Sequence, residues 1–419
     1  MYIERVVLRN IRCFSKIEVG FDLAGGAPPC AIIVGDNAAG KTTLLRSIAI
    51  GLCDESSAAG LLKESDTGYV KYGEDQGEIV ISLTDSKGRY EIRTTIQHIK
   101  TARGSFERVR QETTENFPWD SLFVAGYGAG RGTSGSGDIA GYSVVNAVYN
   151  MFNYTEGLQN PELTILRLQG CRTQEEIQRA LRDLLKVDKI ECKKSGITVD
   201  GIWGTEMPLR DLADGYKSTF LWVTDMLGWA FSFNKSIGST AEIEGIVIID
   251  ELEQHLHATW QRVIVDRLRE AFPRVQFIAA THSPLVAASI GPLVPRGVND
   301  KLILCEVSQE AGEVRVEELP TMQRYRFEQV LASRAFKYLC EANPALEGSV
   351  KRASELADKG VGRSQEEEQE YQRLKDQLKG TPFLWGDTPI EREMQAEKLA
   401  ELKRENDLSE KHNDQDRTA

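Results

Sequence analysis

The sequence of 419 residues lacks the features of several protein classes. Its seven cysteines form no Cys-x-x-Cys pair, which indicates free thiols in a reducing compartment rather than a disulfide framework. No stretch approaches the ~20 consecutive apolar residues of a membrane-spanning helix, and the N-terminus, MYIERVVLRNIRCF, lacks a signal-peptide core. The formal net charge of −12 argues against a uniformly basic surface that coats nucleic acid, and leaves open a local basic face. We therefore expect a soluble, cytoplasmic protein with no membrane partner.

The order of apolar patterns predicts an α/β fold. CAIIV, EGIVIID and VQFIAA are continuous apolar runs, typical of strands that are buried on both faces. Helix-like segments lie between them, so we predict a wound, mainly parallel core sheet, which KLILCEV and EVRVEEL close as a hairpin. EIVISLTDSKGRYEIRTTIQHI alternates around a turn at residues 85–88 and predicts an inserted antiparallel β lobe, at about residues 77–125.

The remaining segments predict helices. A helical lobe is expected at about residues 143–207, and its clearest helix, TQEEIQRALRDLLK, begins with a Thr-x-x-Glu capping signal at residues 173–176. We place one domain at residues 1–320. Residues 321–419 are expected to form a C-terminal helical extension of charged, striped helices with a disordered tail.

A glycine-rich loop supplies the first candidate site. GDNAAGKT, at residues 35–42, matches G-x-x-x-x-G-K-[ST] in full and lies between a buried strand and a helix, the context that this motif requires. Its backbone N–H groups and the helix N-terminus are expected to surround phosphate oxygens. Lys41 would then reach the β- and γ-phosphates, and the Thr42 hydroxyl would ligate Mg²⁺. The predicted phosphate-binding residues are Gly35, Asp36, Asn37, Ala38, Ala39, Gly40, Lys41, Thr42 and Thr43.

Acidic residues follow a second buried strand. IVIIDE places Asp250, a candidate Mg²⁺ ligand, and Glu251, a candidate general base for an attacking water, at the end of that strand. THSP follows the next strand, which predicts that His282 contacts the γ-phosphate. His255 and His257 form a His-x-His pair that could ligate a metal. No third ligand accompanies them, so we favour a turn that faces a partner subunit.

The order of these segments resembles a known family. GDNAAGKT, LADGYKS at residues 212–218, IVIIDELEQHLH and THSP follow the order of ABC-type ATPases. The resemblance is closest to the RecF/SMC-like and OLD-like branch of this family. The segment LRNIRCF resembles the N-terminal strand motif of that branch. DELEQHLHATWQ and QFIAATHSPLV resemble ATPases of bacterial defence and repair systems. This resemblance covers about residues 1–319 and implies an ATPase head with ATP and Mg²⁺ as cofactors.

The resemblance also implies a homodimer that holds two ATP molecules head to tail. Asp214 and Gly215 would present the signature of one protomer to the γ-phosphate bound by the other, through backbone and helix N-terminus. Tyr127 and Gly128 fall where the family has its Q-loop, and Arg131 would contact a phosphate or the partner.

Two positions depart from the family pattern. The signature has Ala213 where the family has serine, which removes a hydroxyl donor and suggests slow hydrolysis or tight ATP holding. The glutamine of the Q-loop is also not evident, so the sequence does not identify a Mg²⁺-sensing residue there.

Three functions remain open. In the first, ATP-dependent dimerisation regulates a separate nuclease or toxin subunit in anti-phage defence. FEQVLASRAF and GDTPIERE in the tail resemble Septu-type defence ATPases, which supports this interpretation. The second is a stand-alone RecF-like DNA repair ATPase, and the third is a scaffold that hydrolyses ATP slowly, as Ala213 suggests. A nuclease of the OLD type is rejected because no apolar strand precedes Glu347, and the signature argues against a membrane transporter subunit.

The antiparallel lobe offers a candidate contact to DNA. IKTARGSFERVR carries four cations that could bind phosphates, with a solvated hairpin as the plain alternative. These residues are Lys100, Arg103, Arg108 and Arg110.

Overall fold

The structure, a computed structural model, describes most of the chain in two compact units, Met1–Phe327 and Glu328–Ala419. The described residues are 1–21, 28–64, 67–101, 104–131, 141–153, 155, 157–168, 174–193, 196–202, 204–291, 300–308, 313–336 and 344–378.

The first unit contains the fourteen described strands. In chain order they are β1 (Tyr2–Ile11), β2 (Phe14–Gly20), β3 (Ala31–Val34), β4 (Gln76–Thr84), β5 (Arg89–Thr101), β6 (Gly104–Thr113), β7 (Val124–Tyr127), β8 (Lys189–Lys193), β9 (Gly196–Gly201), β10 (Gly204–Pro208), β11 (Glu244–Ile249), β12 (Arg274–Ala280), β13 (Lys301–Val307) and β14 (Val314–Leu319).

The structure describes twelve helices in the two units. They are α1 (Lys41–Gly51), α2 (Glu55–Lys63), α3 (Val144–Val148), α4 (Pro161–Leu168), α5 (Gln174–Leu185), α6 (Asp214–Phe233), α7 (Ala258–Gln261), α8 (Ile264–Ala271), α9 (Pro284–Ala287), α10 (Phe327–Leu331), α11 (Pro344–Lys359) and α12 (Gln365–Leu378). Within the described residues, no helix is long and apolar enough to cross a membrane.

A six-stranded sheet forms the core of the first unit, in the order β14-β13-β3-β12-β11-β7. All neighbours in it are parallel except β14, which pairs antiparallel with β13. The four residues of β3 are completely buried, as the continuous apolar run predicts. The wound, mainly parallel core and its closing hairpin are therefore confirmed.

A five-stranded antiparallel sheet, β2-β1-β4-β5-β6, forms the second layer. Asp85 accepts hydrogen bonds from the backbone N–H groups of Lys87 and Gly88, which forms the predicted hairpin turn between β4 and β5. The lobe is less of an insertion than we expected, because β1 and β2 belong to the same sheet. Residues 124 and 125, which we expected at the end of the antiparallel lobe, lie instead in β7 of the core sheet.

The region of the expected helical lobe also contains strands. Besides α3, α4 and α5 it has the small antiparallel sheet β10-β9-β8, which the prediction did not include. Thr173, the expected capping residue of α5, lies outside the described residues. Farther along, TWQRVIVDRLREAF forms two short helices, α7 and α8, rather than one.

The second unit is helical over its described residues. Helices α11 and α12 pack together around a small core that is completely or almost completely buried. Its members are Ala353, Leu356, Tyr371 and Leu378. Residues 379–419 lie outside the described residues, and these include the predicted helix EREMQAEKLAELKREN and the predicted disordered end SEKHNDQDRTA.

Candidate functional site

The candidate site lies at one edge of the core sheet. Strands β3, β12, β11 and β7 are successive parallel neighbours, so their carboxyl ends meet at this edge. Open parallel sheets bind ligands in the crevice outside these ends. The glycine-rich loop follows β3, Asp250 follows β11 and Thr281 follows β12. Segments far apart in the sequence thus form a single site.

The glycine-rich loop turns tightly into α1. Gly40 has φ of 86°, and a Cβ there would lie 2.8 Å from both Cys13 Sγ and Phe14 Cζ, so a side chain does not fit. Ala38 also adopts a left-handed conformation, with φ of 61°. Because Gly40 precedes α1 and offers no capping side chain, the N–H groups of the first turn can bind phosphate oxygens.

The remaining loop residues occupy two layers. Asp36, Asn37 and Ala38 are exposed at the tip, while Gly35 and Ala39 are buried beneath it. Thr43, in the first turn of α1, is half-buried. The loop therefore presents an exposed, backbone-lined rim on a fixed base.

Lys41 folds back into its own loop. Its Nζ donates hydrogen bonds of 2.8 Å to the carbonyl oxygens of Gly35 and Asp36. The side chain is almost fully buried, and burial lowers the pKa of the Lys41 ammonium, an effect that Asp250 opposes. The ammonium thus sits where the loop curves, held by neutral oxygens that a phosphate oxygen could replace.

Thr42 and Asp250 bring the two predicted Mg²⁺ ligands together. The hydroxyl of Thr42 donates a 2.7 Å hydrogen bond to Asp250 Oδ2. Asp250 is buried, and its backbone N–H donates to the carbonyl oxygen of Tyr127. A hydroxyl and a carboxylate are hard oxygen donors, which suit Mg²⁺. These two residues would hold the ion, and it would neutralise charge on phosphate oxygens.

Glu251, the predicted base, has an unusual backbone conformation. Its φ is 50°, in the left-handed region that non-glycine residues rarely adopt. The residue is half-buried at the same edge as Asp250.

Arg131 is not placed as we expected. It is buried, with 1% exposure, so it lies beneath the site rather than where it could contact a phosphate or a partner. Its guanidinium donates to the carbonyl oxygens of Gly128, Asp250 and Glu251 at 3.1, 2.5 and 2.5 Å. Burial lowers the pKa of Arg131 to about 10, and nearby carboxylates, Glu253 first, oppose the shift.

Glu253, which no motif in the sequence marks, holds the backbone of His282 in place. Its carboxylate accepts a 2.6 Å hydrogen bond from the Thr281 hydroxyl and a 2.7 Å bond from the backbone N–H of His282. The His282 side chain remains exposed at the tip of β12. The only available signal was a third acid in Asp-Glu-Leu-Glu.

The signature segment, residues 212–218, begins α6 in an exposed position. Ala213 is the N-cap residue and makes no side-chain capping bond, and Asp214 is exposed after it. Gly215 packs against the backbone of His255, and the rings of Tyr216 and Trp260 meet edge to face at 4.6 Å. The signature thus rests on the turn that follows Glu251 in its own chain.

A buried hydrogen bond joins α6 to the end of β7. Tyr127 donates from its hydroxyl to Asp225 Oδ2 at 2.9 Å, and the backbone N–H of Gln159 donates to Asp225 Oδ1 at 2.8 Å. Burial raises the pKa of Asp225 to about 6. Gly128 follows, and its N–H donates to Asn150 Oδ1. Asp225 lies inside an apolar helix, where the sequence offered no signal for it.

His255 and His257 belong to no group of three or more potential metal ligands within the described part of the chain. His257 instead caps α7, where its Nδ1 pairs with the Thr259 hydroxyl at 3.0 Å. His255 is exposed, with φ of 63°.

Of the four cations proposed for DNA, the three that the structure describes do not share one face of the antiparallel sheet. Cross-strand pairing of Lys100 with Ser105 and of Gln97 with Arg108 places Lys100 on the opposite face from Arg108 and Arg110. Arg103 lies outside the described residues.

Two family models match parts of the chain. One is described as an AAA domain, at residues 5–124, and the other as an AAA domain, putative AbiEii toxin, Type IV TA system, at residues 199–288. Septu protein PtuA of Bacillus mycoides (strain KBAB4) is 28% identical over 341 residues, which cover 80% of this chain and 45% of the relative. Retron Vc95 probable ATPase of Vibrio cholerae is 39% identical over 87 residues, 21% of this chain and 17% of the relative. The chain spans less than half the length of these relatives.

Among solved structures, the SMC head domain from Thermotoga maritima has a TM-score of 0.44 and 14% identity, with 76% of this chain and all of that chain covered. The recombination mediator RecF has a TM-score of 0.38 and 13% identity, with 76% and 98% covered. The order of the site segments, their convergence at one sheet edge and the matches in sequence agree with one another. The chain resembles the ABC-type ATPases and, within them, the Septu ATPase.

Proposed function

We propose that this protein is an ATP-binding and ATP-hydrolysing switch whose ATP-dependent dimerisation regulates a partner effector. The observation that carries the proposal is the hydrogen bond between Thr42 and Asp250, which joins the end of the glycine-rich loop to the acidic strand. The bond joins two residues that are 208 positions apart in the sequence, at the sheet edge where Lys41 also lies, as expected of two ligands of one Mg²⁺ ion.

The chemistry follows from the donor set. Lys41 and the loop N–H groups would bind the β- and γ-phosphates, and Thr42 with Asp250 would hold Mg²⁺. Glu251 would take a proton from water as the water oxygen bonds to the γ-phosphorus. The bond from that phosphorus to the β,γ-bridging oxygen breaks, and ADP and phosphate leave. His282, fixed through its backbone by Glu253, would contact the γ-phosphate.

Dimerisation is proposed because each chain presents two halves of a site. The start of α6 is exposed at Ala213 and Asp214, where its free N–H groups could bind the γ-phosphate held by a second copy. ATP would then lie between the glycine-rich loop of one protomer and the signature of the other. Closing and opening of this pair is the switch.

Anti-phage defence is the setting that the similarity to Septu protein PtuA and to retron ATPases supports. We propose a separate nuclease or toxin subunit as the effector. The described residues of the second unit, with their acidic α12, would be available to dock it.

One observation favours the slow-hydrolysing scaffold as a second candidate. Ala213 leaves the N-terminus of α6 without a side-chain cap and without a hydroxyl aimed at the neighbouring phosphate. Binding and dimerisation would then be retained while turnover stays low.

The experiment compares the wild type with Glu251→Gln and Lys41→Ala, by phosphate release, Mg-ATP affinity and sedimentation with and without Mg-ATP. The switch predicts that Glu251→Gln lowers turnover by about 100-fold or more while keeping the ATP-dependent dimer. Lys41→Ala is expected to lose binding and dimer together, and Glu270→Gln, an exposed acid on α8, serves as the matched control. Wild-type turnover equal to that of Glu251→Gln, with an intact dimer, would favour the scaffold. A wild type that neither binds nor dimerises with Mg-ATP would refute both.

A further inference from the structure

We propose that Arg131 is a positioning residue that sets the backbone conformation of Glu251. The inference rests on the proposed function, in which Glu251 is the general base. Three features of the structure support it: the two carbonyl groups that Arg131 binds, the burial of Arg131, and the backbone angle of Glu251.

The guanidinium of Arg131 binds on both sides of the Glu251 α-carbon. Nη1 donates to the carbonyl oxygen of Asp250, which precedes this α-carbon, and Nη2 donates to that of Glu251, which follows it. One rigid, planar group therefore holds the two peptide planes whose rotation defines the φ and ψ of Glu251.

This backbone conformation needs support. A left-handed φ in a non-glycine residue costs about 1 kcal/mol or more and persists only where the surroundings fix it. In an ordinary extended conformation, the Glu251 carboxylate would point elsewhere. Backbone bonds from Gln254 N–H to the Glu251 carbonyl oxygen and from Leu252 N–H to that of Ala280 hold one side of this residue. Arg131 adds the contacts that tie both carbonyl groups to one side chain, and its third bond, to the carbonyl oxygen of Gly128, anchors it to the segment after β7.

The burial of Arg131 shows that this arrangement is costly. All three hydrogen bonds go to carbonyl oxygens, and its Nε has no partner among the described residues. Arg269 provides the contrast, because this buried arginine is paired with the carboxylate of Asp300 near the amino ends of β3 and β13. A charge buried mainly against carbonyls is unfavourable for stability alone.

We call the two bonds from Arg131 to the carbonyl oxygens of Asp250 and Glu251 the clamp, and lysine cannot reproduce it. An ammonium is a point charge without the planar fork that spans two successive carbonyl groups. Arg131→Lys is therefore expected to lower kcat about 10- to 100-fold, the scale of a misplaced catalytic group. Mg-ATP affinity should change little, since Arg131 is buried beneath the site.

The test uses Arg131→Lys and Arg131→Gln, each alone and combined with Glu251→Gln. Phosphate release and Mg-ATP affinity are measured on the full chain, with thermal unfolding as the check on folding. We expect the loss of kcat in the single variants and no further loss when Glu251 is already replaced, because the clamp acts through that residue. Arg269→Lys is the matched control: it should lower stability while kcat is kept.

The outcomes separate this inference from the proposed function. An unchanged kcat in Arg131→Lys, a parallel loss of Mg-ATP affinity, or a full additional loss on the Glu251→Gln background would each overturn the clamp. A crystal structure of Arg131→Lys gives a readout that does not depend on activity. Glu251 should leave its left-handed conformation, and its retention there would refute the inference even in a protein that hydrolyses no ATP.

Discussion

The α-carbon of Gly215 packs so closely on the backbone of His255 that a Cβ would lie 2.4 Å from the His255 carbonyl oxygen. This contact joins the signature of a chain to the turn that follows its own Glu251. In the proposed dimer, a movement of the signature on binding a second copy would therefore act on Glu251, the proposed base of the same chain.

Gly215→Ala should disturb this junction. Backbone meets backbone here, so neither side can yield cheaply, and we expect a loss of about 1–3 kcal/mol in unfolding free energy together with reduced ATP-dependent dimerisation. Thermal unfolding and sedimentation with Mg-ATP are the measurements. Gly60→Ala is the control, since Gly60 lies in α2 with open space around it and alanine there should stabilise the helix. Equal effects of the two substitutions would contradict the tight contact.

Ala213→Ser should improve the start of α6. A serine at this N-cap position can accept a hydrogen bond from the first turn, which stabilises by about 1 kcal/mol, and it restores the hydroxyl of the family signature. We expect a higher melting temperature and faster phosphate release. Ala213→Thr should act similarly, whereas Ala213→Val, of the same shape without the hydroxyl, should not. A gain with valine would show that the hydroxyl is irrelevant.

Asp225→Asn should change how stability depends on pH. The folded pKa of Asp225 is raised from 3.8 to about 6 by burial, so the folded state binds the proton more tightly than the unfolded state. Its contribution is fully present below about pH 4 and is lost as pH rises through about 6. Relative to the wild type, Asp225→Asn should therefore gain up to about 3 kcal/mol between pH 4 and pH 7. Chemical unfolding across this range is the measurement, and a constant difference would contradict the raised pKa.

Removal of Glu253 should act through His282. Without this carboxylate, the Thr281 hydroxyl and the backbone N–H of His282 lose their partner, and the histidine loop is no longer fixed. We expect Glu253→Ala to lower kcat about 10-fold, and Glu253→Gln, which keeps an acceptor, to lower it less. The double variant with His282→Ala should lose little more than His282→Ala alone. Strictly additive losses would assign Glu253 a separate role.

The sequence predicted the parts of the fold that depend on local pattern. Continuous apolar runs identified β3, β11 and β12 as buried parallel strands, and the turn at Asp85 identified the β4–β5 hairpin. The membership of β1 in the antiparallel sheet was not predictable, because pairing with β4 depends on contacts across about seventy residues. The small sheet from β8 to β10 is not predictable either, because its short strands carry weak patterns.

Some residues of the candidate site are likewise predictable from local pattern, and others are not. A motif with fixed spacing indicated Lys41 and Thr42, and the end of an apolar strand indicated Asp250. The inward position of Arg131 is not predictable, because a sequence shows that an arginine follows a glycine-rich turn and not that it folds inward. Glu253 and Asp225 acquire their partners only through tertiary packing, so no local pattern marks them.

The position of β3 in the core sheet has a consequence for synthesis on the ribosome. Its neighbours are β12 and β13, which lie within residues 274–307. At a translation rate of about 5–20 residues per second, β12 and β13 are synthesised on the order of tens of seconds after the glycine-rich loop. A nascent or truncated chain would carry the loop without its sheet, so the capacity to hold a nucleotide should arise late and all at once.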